Sequence, residues 1–194
     1  KLCSYFLCMK KNKLPPLIII LFVLQQSIGF AQKKVAADPN TRLKEQTMRE
    51  MQDNYETYKK AALQIWDYAE VGYKETKSSA LLQQLLRENG FVVEAGVAEI
   101  PTAFVASYGT GKPVIAILAE YDALPGLSQD TVSERKALTG KNAGHGCGHH
   151  LFGTASAAAG IALKKLIAEK KINGTVRVYG CPAEEGGSGK VYMV

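Results

Sequence analysis

All three histidines of the chain fall within the string Gly144-His145-Gly146-Cys147-Gly148-His149-His150, with a cysteine among them. Thiolate and imidazole suit zinc and its neighbours, and carboxylates complete such ligand sets. Two acidic strings stand ready, Glu120-Tyr121-Asp122-Ala123-Leu124-Pro125 upstream and Cys181-Pro182-Ala183-Glu184-Glu185-Gly186-Gly187 downstream. Singly these strings say little: Cys-x-His is too short to specify a metal, and lone acids are mostly solvated. Together they require three segments to carry thiol, imidazole and carboxylate to one place. The glycines between the candidate ligands let a tight backbone aim alternate side chains at one ion.

The elements that must position these groups are legible as periodicities. Apolar residues at spacings of three and four predict an amphipathic helix over 38–69, and a second over 76–88, closed by Asn89-Gly90. Strand-like runs cover 91–97, 103–108 and 114–119. The last of them, Val-Ile-Ala-Ile-Leu-Ala, is apolar without alternation, as in a strand covered on both faces. A polar loop over 126–148 leads into a small-residue helix over 151–170, whose Gly153, Ala155 and Ala157 to Ala159 permit close packing, and then into a strand over 175–180. This order predicts an α/β fold around a mainly parallel sheet. Ligands in such sheets bind beyond the carboxyl ends of strands, where the two acidic strings fall.

Composition narrows the function classes. With 194 residues, 46% of them hydrophobic, 18 Gly and 7 Pro, the chain is neither disordered nor collagenous, and four Cys are too few for a disulfide scaffold. The net charge of +6 is mostly leader: residues 1–31 hold four Lys and no acid, leaving 20 basic against 18 acidic residues. No basic stripe with interleaved aromatics remains, so nucleic-acid binding is not expected. Met9-Lys10-Lys11-Asn12-Lys13, the apolar run from Leu17 to Leu24 and Gly29-Phe30-Ala31 form the pattern of a signal peptide cut after Ala31. Residues 1–8 have no role in that scheme. The mature chain is therefore expected near Gln32, secreted or periplasmic, without a stable membrane span, because the apolar run is far below the ~20 residues a span needs. A Cys147–Cys181 disulfide is open in such a compartment. Gly186-Gly187-Ser188-Gly189-Lys190 is no phosphate loop, since Glu184 and Val191 stand where Gly and Ser/Thr are required.

In order and spacing, Glu120 to Pro125, Gly146 to His149 and Pro182 to Gly187 resemble the M20 metallopeptidase family, in its amidohydrolase branch. That branch includes the hydrolases of N-acyl amino acids and of auxin–amino acid conjugates, and the resemblance covers residues 53–194. It implies a three-layer metallopeptidase-type catalytic domain of which 32–194 is the N-terminal part, with a lid or dimerisation domain and further His ligands beyond, so that the fragment alone is expected to be inactive. It also implies roles: Cys147, His149 and Glu185 as metal ligands, Glu184 as general base, Asp122 orienting a ligating imidazole, and His145 near the site. His150 stands where many members have Asp, which fits the aminobenzoyl-glutamate-like subgroup. The implied cofactor is a divalent metal, two ions per full-length site, Zn, Mn or Co. The implied partners are a small N-acyl amino acid or peptide substrate and another subunit, in a homo- or hetero-oligomer. Two other readings stay open: a non-catalytic metal- or peptide-binding module, and a thiol hydrolase using Cys147 activated by His145 or His149.

Overall fold

The computed structural model describes Asp38 and residues 40–194, so the leader and its cleavage point lie outside the described residues. The helix expected over 38–69 is two helices, α1 (Thr41–Asp53) and α2 (Tyr55–Tyr68). The break is at Asn54, whose side-chain amide donates to the Glu50 backbone carbonyl at 2.9 Å and to its Oε1 at 2.7 Å. An asparagine side chain competes in this way with the helical ladder, and the apolar periodicity runs through the break without registering it. Then follow α3 (Thr76–Glu88), β1 (Val92–Ala95), β2 (Phe104–Thr110), β3 (Val114–Ala119), the small β4–β5 pair (Leu124–Pro125 with Ala143–Gly144), α4 (His149–Ala168), β6 (Gly174–Gly180) and α5 (Gly189–Met193).

The four main strands lie in the order β1-β2-β6-β3. The α/β class holds, and the expected mainly parallel sheet is corrected to a mixed one: β6 and β3 are parallel, whereas β1–β2 and β2–β6 are antiparallel. Connection length is the physical reason. From β1 to β2 the chain returns directly through residues 96–103, with one turn of 3-10 helix over Val97–Glu99, which permits an antiparallel neighbour, while β3 reaches β6 through α4, the crossover a parallel pair needs.

Ala106, Val176 and Val178 point from the sheet into a core closed by Ile65 of α2, Leu82, Leu85 and Leu86 of α3, and Ala157 and Ile161 of α4. Helices α2, α3 and α4 cover this one face, so two of the expected three layers are described. On the other face Val92, Val114 and Leu118 are exposed. The exposure of β3 follows from this open face and from its place at the sheet edge, neither of which an unbroken apolar run alone reveals.

Candidate metal centre

β3 and β6 run side by side in the same direction, so their carboxyl ends meet, and the Cys181 N–H extends the pairing by donating to the Ala119 carbonyl at 2.8 Å. Beyond β3, Tyr121 is fully buried and donates its hydroxyl to the Thr102 carbonyl at 2.5 Å. Side chains alternate along extended backbone. With Tyr121 turned into the core, Glu120 and Asp122 face the opposite way, toward α4. The first turn of α4 is drawn close because Gly153 lies against the Glu120 carbonyl, where a Cβ would sit 2.4 Å from that oxygen. The Ser156 hydroxyl also donates to the Leu118 carbonyl at 2.6 Å.

His149, the first residue of α4, is thereby set among four acids. Its Nδ1 lies 3.0 Å from Asp122 Oδ1 and 3.1 Å from the Asp122 carbonyl. The other ring nitrogen, Nε2, lies 3.0 Å from Glu120 Oε2 and 3.7 Å from Glu184 Oε2. Asp122 is buried, and its second oxygen accepts the Glu185 backbone N–H at 2.8 Å. One carboxylate thus fixes both the imidazole and the start of the paired acids. Glu185 Oε1 is 3.9 Å from His149 Nδ1 and buried without a hydrogen-bond partner. The neighbouring Glu185 carboxylate holds the exposed Cys147 thiol above its ordinary pKa.

Among the described residues the donors that converge within 4.8 Å are those of Glu120, His149 and Glu184. Of the sequence-derived ligands, His149 lies at the centre of this group, Glu185 at its side, and Cys147 joins through Glu185. Glu184, the expected base, lies inside the converging set. Two residues enter that sequence reasoning did not single out. Glu120 is a donor in its own right, findable from its alternation with Tyr121. Lys190, noticed only in a rejected phosphate-loop pattern, sets its Nζ 2.5 Å from Glu120 Oε1. The oxygen and nitrogen donors, with a thiol beside them, suit a borderline divalent cation, and the partnerless buried oxygen of Glu185 fits a ligand position.

The other two histidines do a different job. His145 Nε2 lies 3.0 Å from the Ile65 carbonyl, tying the glycine-rich loop to α2, and burial lowers its pKa. His150 lies beside it with the two rings tilted at 49° and their centroids 4.9 Å apart, and burial first, then the His145 and His149 charges, bring its pKa down to about 4. Both are neutral near pH 7. Cys147 and Cys181 are free thiols, the first exposed and the second buried, so the disulfide left open by the sequence is not formed.

The chain is 52% identical over 138 residues to one subunit of the p-aminobenzoyl-glutamate hydrolase of Escherichia coli, covering 71% of this chain and 29% of that protein. It is 38% identical over 126 residues to thermostable carboxypeptidase 1 of Saccharolobus solfataricus, covering 63% of this chain and 30% of that one. Among solved structures, a dinuclear metal binding peptidase of the M20 family from Bacillus subtilis superposes with a TM-score of 0.57 at 26% identity, over 70% of this chain and 38% of its own. The chain therefore spans less than a third of the length of these two curated relatives. Residues 116–194, which carry all three converging strings, match the model of peptidase family M20/M25/M40.

Proposed function

We propose that this chain is the metal-holding part of an amidohydrolase that cleaves the amide bond of an N-acyl amino acid of the aminobenzoyl-glutamate type. The observation that carries the reading is the His149 ring, held at Nδ1 by buried Asp122 so that Nε2 faces Glu120 and Glu184. An imidazole oriented by a carboxylate is the usual arrangement of a metal-ligating histidine. Cys147, His149 and Glu185 are the ligands we assign from the family pattern, and the geometry supports Glu120 as a further donor. A bound divalent ion, Zn, Mn or Co, would polarise the amide carbonyl and lower the pKa of water in the site.

The chain's own residues divide the remaining work by exposure. Glu184, with its side chain 43% exposed, is the acid that solvent and substrate can reach. It takes the proton from the attacking water and delivers it to the leaving amine nitrogen, which requires a carboxylate within about 2.6–3.2 Å of that water. Asp122, whose side chain has no exposure, holds the imidazole tautomer. Lys190 balances the charge of Glu120. The dinuclear metal binding of the Bacillus subtilis relative supports two ions, and the Escherichia coli relative, being named as a subunit, supports an oligomeric enzyme. The leader pattern supports a periplasmic or secreted location.

Cys147 is poorly suited to be a nucleophile, because reactive thiols have lowered pKa values and this one is raised by a neighbouring carboxylate. Hydrolysis of p-aminobenzoyl-glutamate by the whole protein, abolished by chelator and restored by Zn, Mn or Co, is the expected result. Activity that survives exhaustive chelation would favour the thiol reading. Metal uptake with no hydrolysis of any N-acyl amino acid would favour a binding module.

A further inference from the structure

The buried carboxyl of Glu75 lies outside the converging acids and has no part in the proton transfers above. It stands at the N-terminus of α3 but does not cap that helix: Glu70 does, accepting the backbone N–H of Lys77 at 3.1 Å and of Ser78 at 2.8 Å. Glu75 is fully buried and turns away, its Oε1 accepting the backbone N–H of Ala183 at 2.7 Å. Ala183 immediately precedes Glu184 and Glu185, and it holds a left-handed backbone (φ 54°, ψ 44°) that non-glycine residues seldom adopt. Such a conformation persists only where its surroundings over-determine it.

The surroundings here are one turn. Gly72 lies so close to Ala183 that a Cβ at position 72 would sit 2.9 Å from the Ala183 Cβ. The Tyr73 hydroxyl donates to the Gly187 carbonyl at 2.5 Å. The Glu70 carbonyl accepts the Ala123 N–H at 2.8 Å, so the same turn also touches the strand end that bears Asp122. Residues 70–75 therefore grip both acid-bearing segments, and Glu75 is the member whose side chain reaches into the bend.

We propose that Glu75 is a positioning residue, which by bonding the Ala183 N–H holds the left-handed bend that aims Glu184 and Glu185 at His149. The inference rests on the amidohydrolase reading for its catalytic consequence, while its structural content does not depend on it. What the bend needs is an acceptor at glutamate reach. Glu75→Gln keeps reach and acceptor and loses the charge. Glu75→Asp keeps the charge and loses the reach.

The test is backbone-amide hydrogen exchange at Ala183 and Glu185 in the whole metal-free protein, with Co2+ affinity and steady-state kinetics alongside. In Glu75→Asp both amides are expected to exchange about tenfold faster or more, with Val178 in β6 unchanged, and Co2+ affinity and kcat to fall about 10- to 100-fold at nearly constant KM. Glu75→Gln is expected to resemble the wild type in all three. Unchanged exchange in Glu75→Asp, or equal loosening in Glu75→Gln, overturns the proposal. Should the Asp variant not fold, absence of a through-hydrogen-bond coupling between the Ala183 amide nitrogen and the Glu75 carboxyl carbon in the wild type overturns it instead. A wild type that takes up no Co2+ and hydrolyses nothing refutes the amidohydrolase reading, and amide exchange still decides the role of Glu75.

Discussion

Replacing Asp122 by Asn changes one atom and separates two bonds that the carboxylate makes at once. Asp122 is 1% exposed, with Oδ1 3.0 Å from His149 Nδ1 and Oδ2 accepting the Glu185 N–H at 2.8 Å. A carboxylate offers an acceptor at each oxygen, whereas an amide offers one acceptor and one donor. If the Asn oxygen faces the Glu185 N–H, its NH2 faces His149, and the ring must carry its proton on Nε2, the nitrogen meant for the metal. If it is flipped, the Glu185 N–H faces another donor and the acidic segment is displaced. The first orientation keeps both bonds but turns the wrong ring nitrogen to the metal, whereas the flipped one leaves the Glu185 N–H without its partner, a loss of about 1–3 kcal/mol of stability. Loss of an orienting partner of this kind weakens metal binding about 10- to 100-fold, which corresponds to about 1.4–2.8 kcal/mol. Urea unfolding of the metal-free protein measures the first quantity and chelator competition for Zn2+ the second. An Asn variant with an unchanged unfolding midpoint and wild-type affinity would show that Asp122 orients nothing.

Three more expectations follow from the same contacts. Gly153→Ala places a methyl group 2.4 Å from the Glu120 carbonyl. It should push the start of α4 off the strand end, costing about 1–3 kcal/mol in thermal or urea unfolding, and a neutral result would mean that the close approach is not needed. The carboxylate of Glu185 raises the Cys147 pKa, so at pH 8 less of the thiol is thiolate than in a free cysteine. Glu185→Gln should therefore speed iodoacetamide labelling of Cys147 in the metal-free protein, and an equal or slower rate would deny the contact. Burial raises the Glu75 pKa above the ordinary glutamate value of 4.5, against hydrogen bonds that include the one from Ala183. The folded state then binds more protons than the unfolded one above pH 4.5, so stability falls as pH rises through the folded pKa. Removing the charge in Glu75→Gln should flatten that part of the stability–pH curve, and a curve that keeps the wild-type slope would contradict it.

Much of the scaffold was legible because periodicity reports burial. The helix over 76–88 and the strand over 114–119 match the observed α3 and β3, since a run of leucines on one face and an unbroken apolar run each have one good local solution. The break at Asn54 escaped because the apolar pattern continues in phase across it and only a side-chain bond to Glu50 betrays it. The mixed sheet escaped for a different reason. Strand order depends on which edges meet after the chain returns, and no local pattern records that β6 inserts beside β2. At the site, Glu120 was passed over because an acid beside a buried tyrosine looks solvated until alternation is followed through Tyr121.

What the amino-acid order determined by itself is the chemistry on offer: two thiols, three imidazoles and paired acids, placed at strand ends and at the mouth of a small-residue helix. Residue type and spacing suffice for that, because donor chemistry is a property of each side chain and strand ends follow from local pattern. Which of these groups meet was decided only in three dimensions. The parallel packing of β3 on β6 and the close seat of Gly153 brought Glu120, His149 and Glu184 within 4.8 Å of one another. The same folding turned His145 toward the Ile65 carbonyl and brought Glu75 to a backbone bend 108 residues away. Contacts between residues so far apart in the chain arise from the closure of the whole core, and no stretch of sequence read alone contains them.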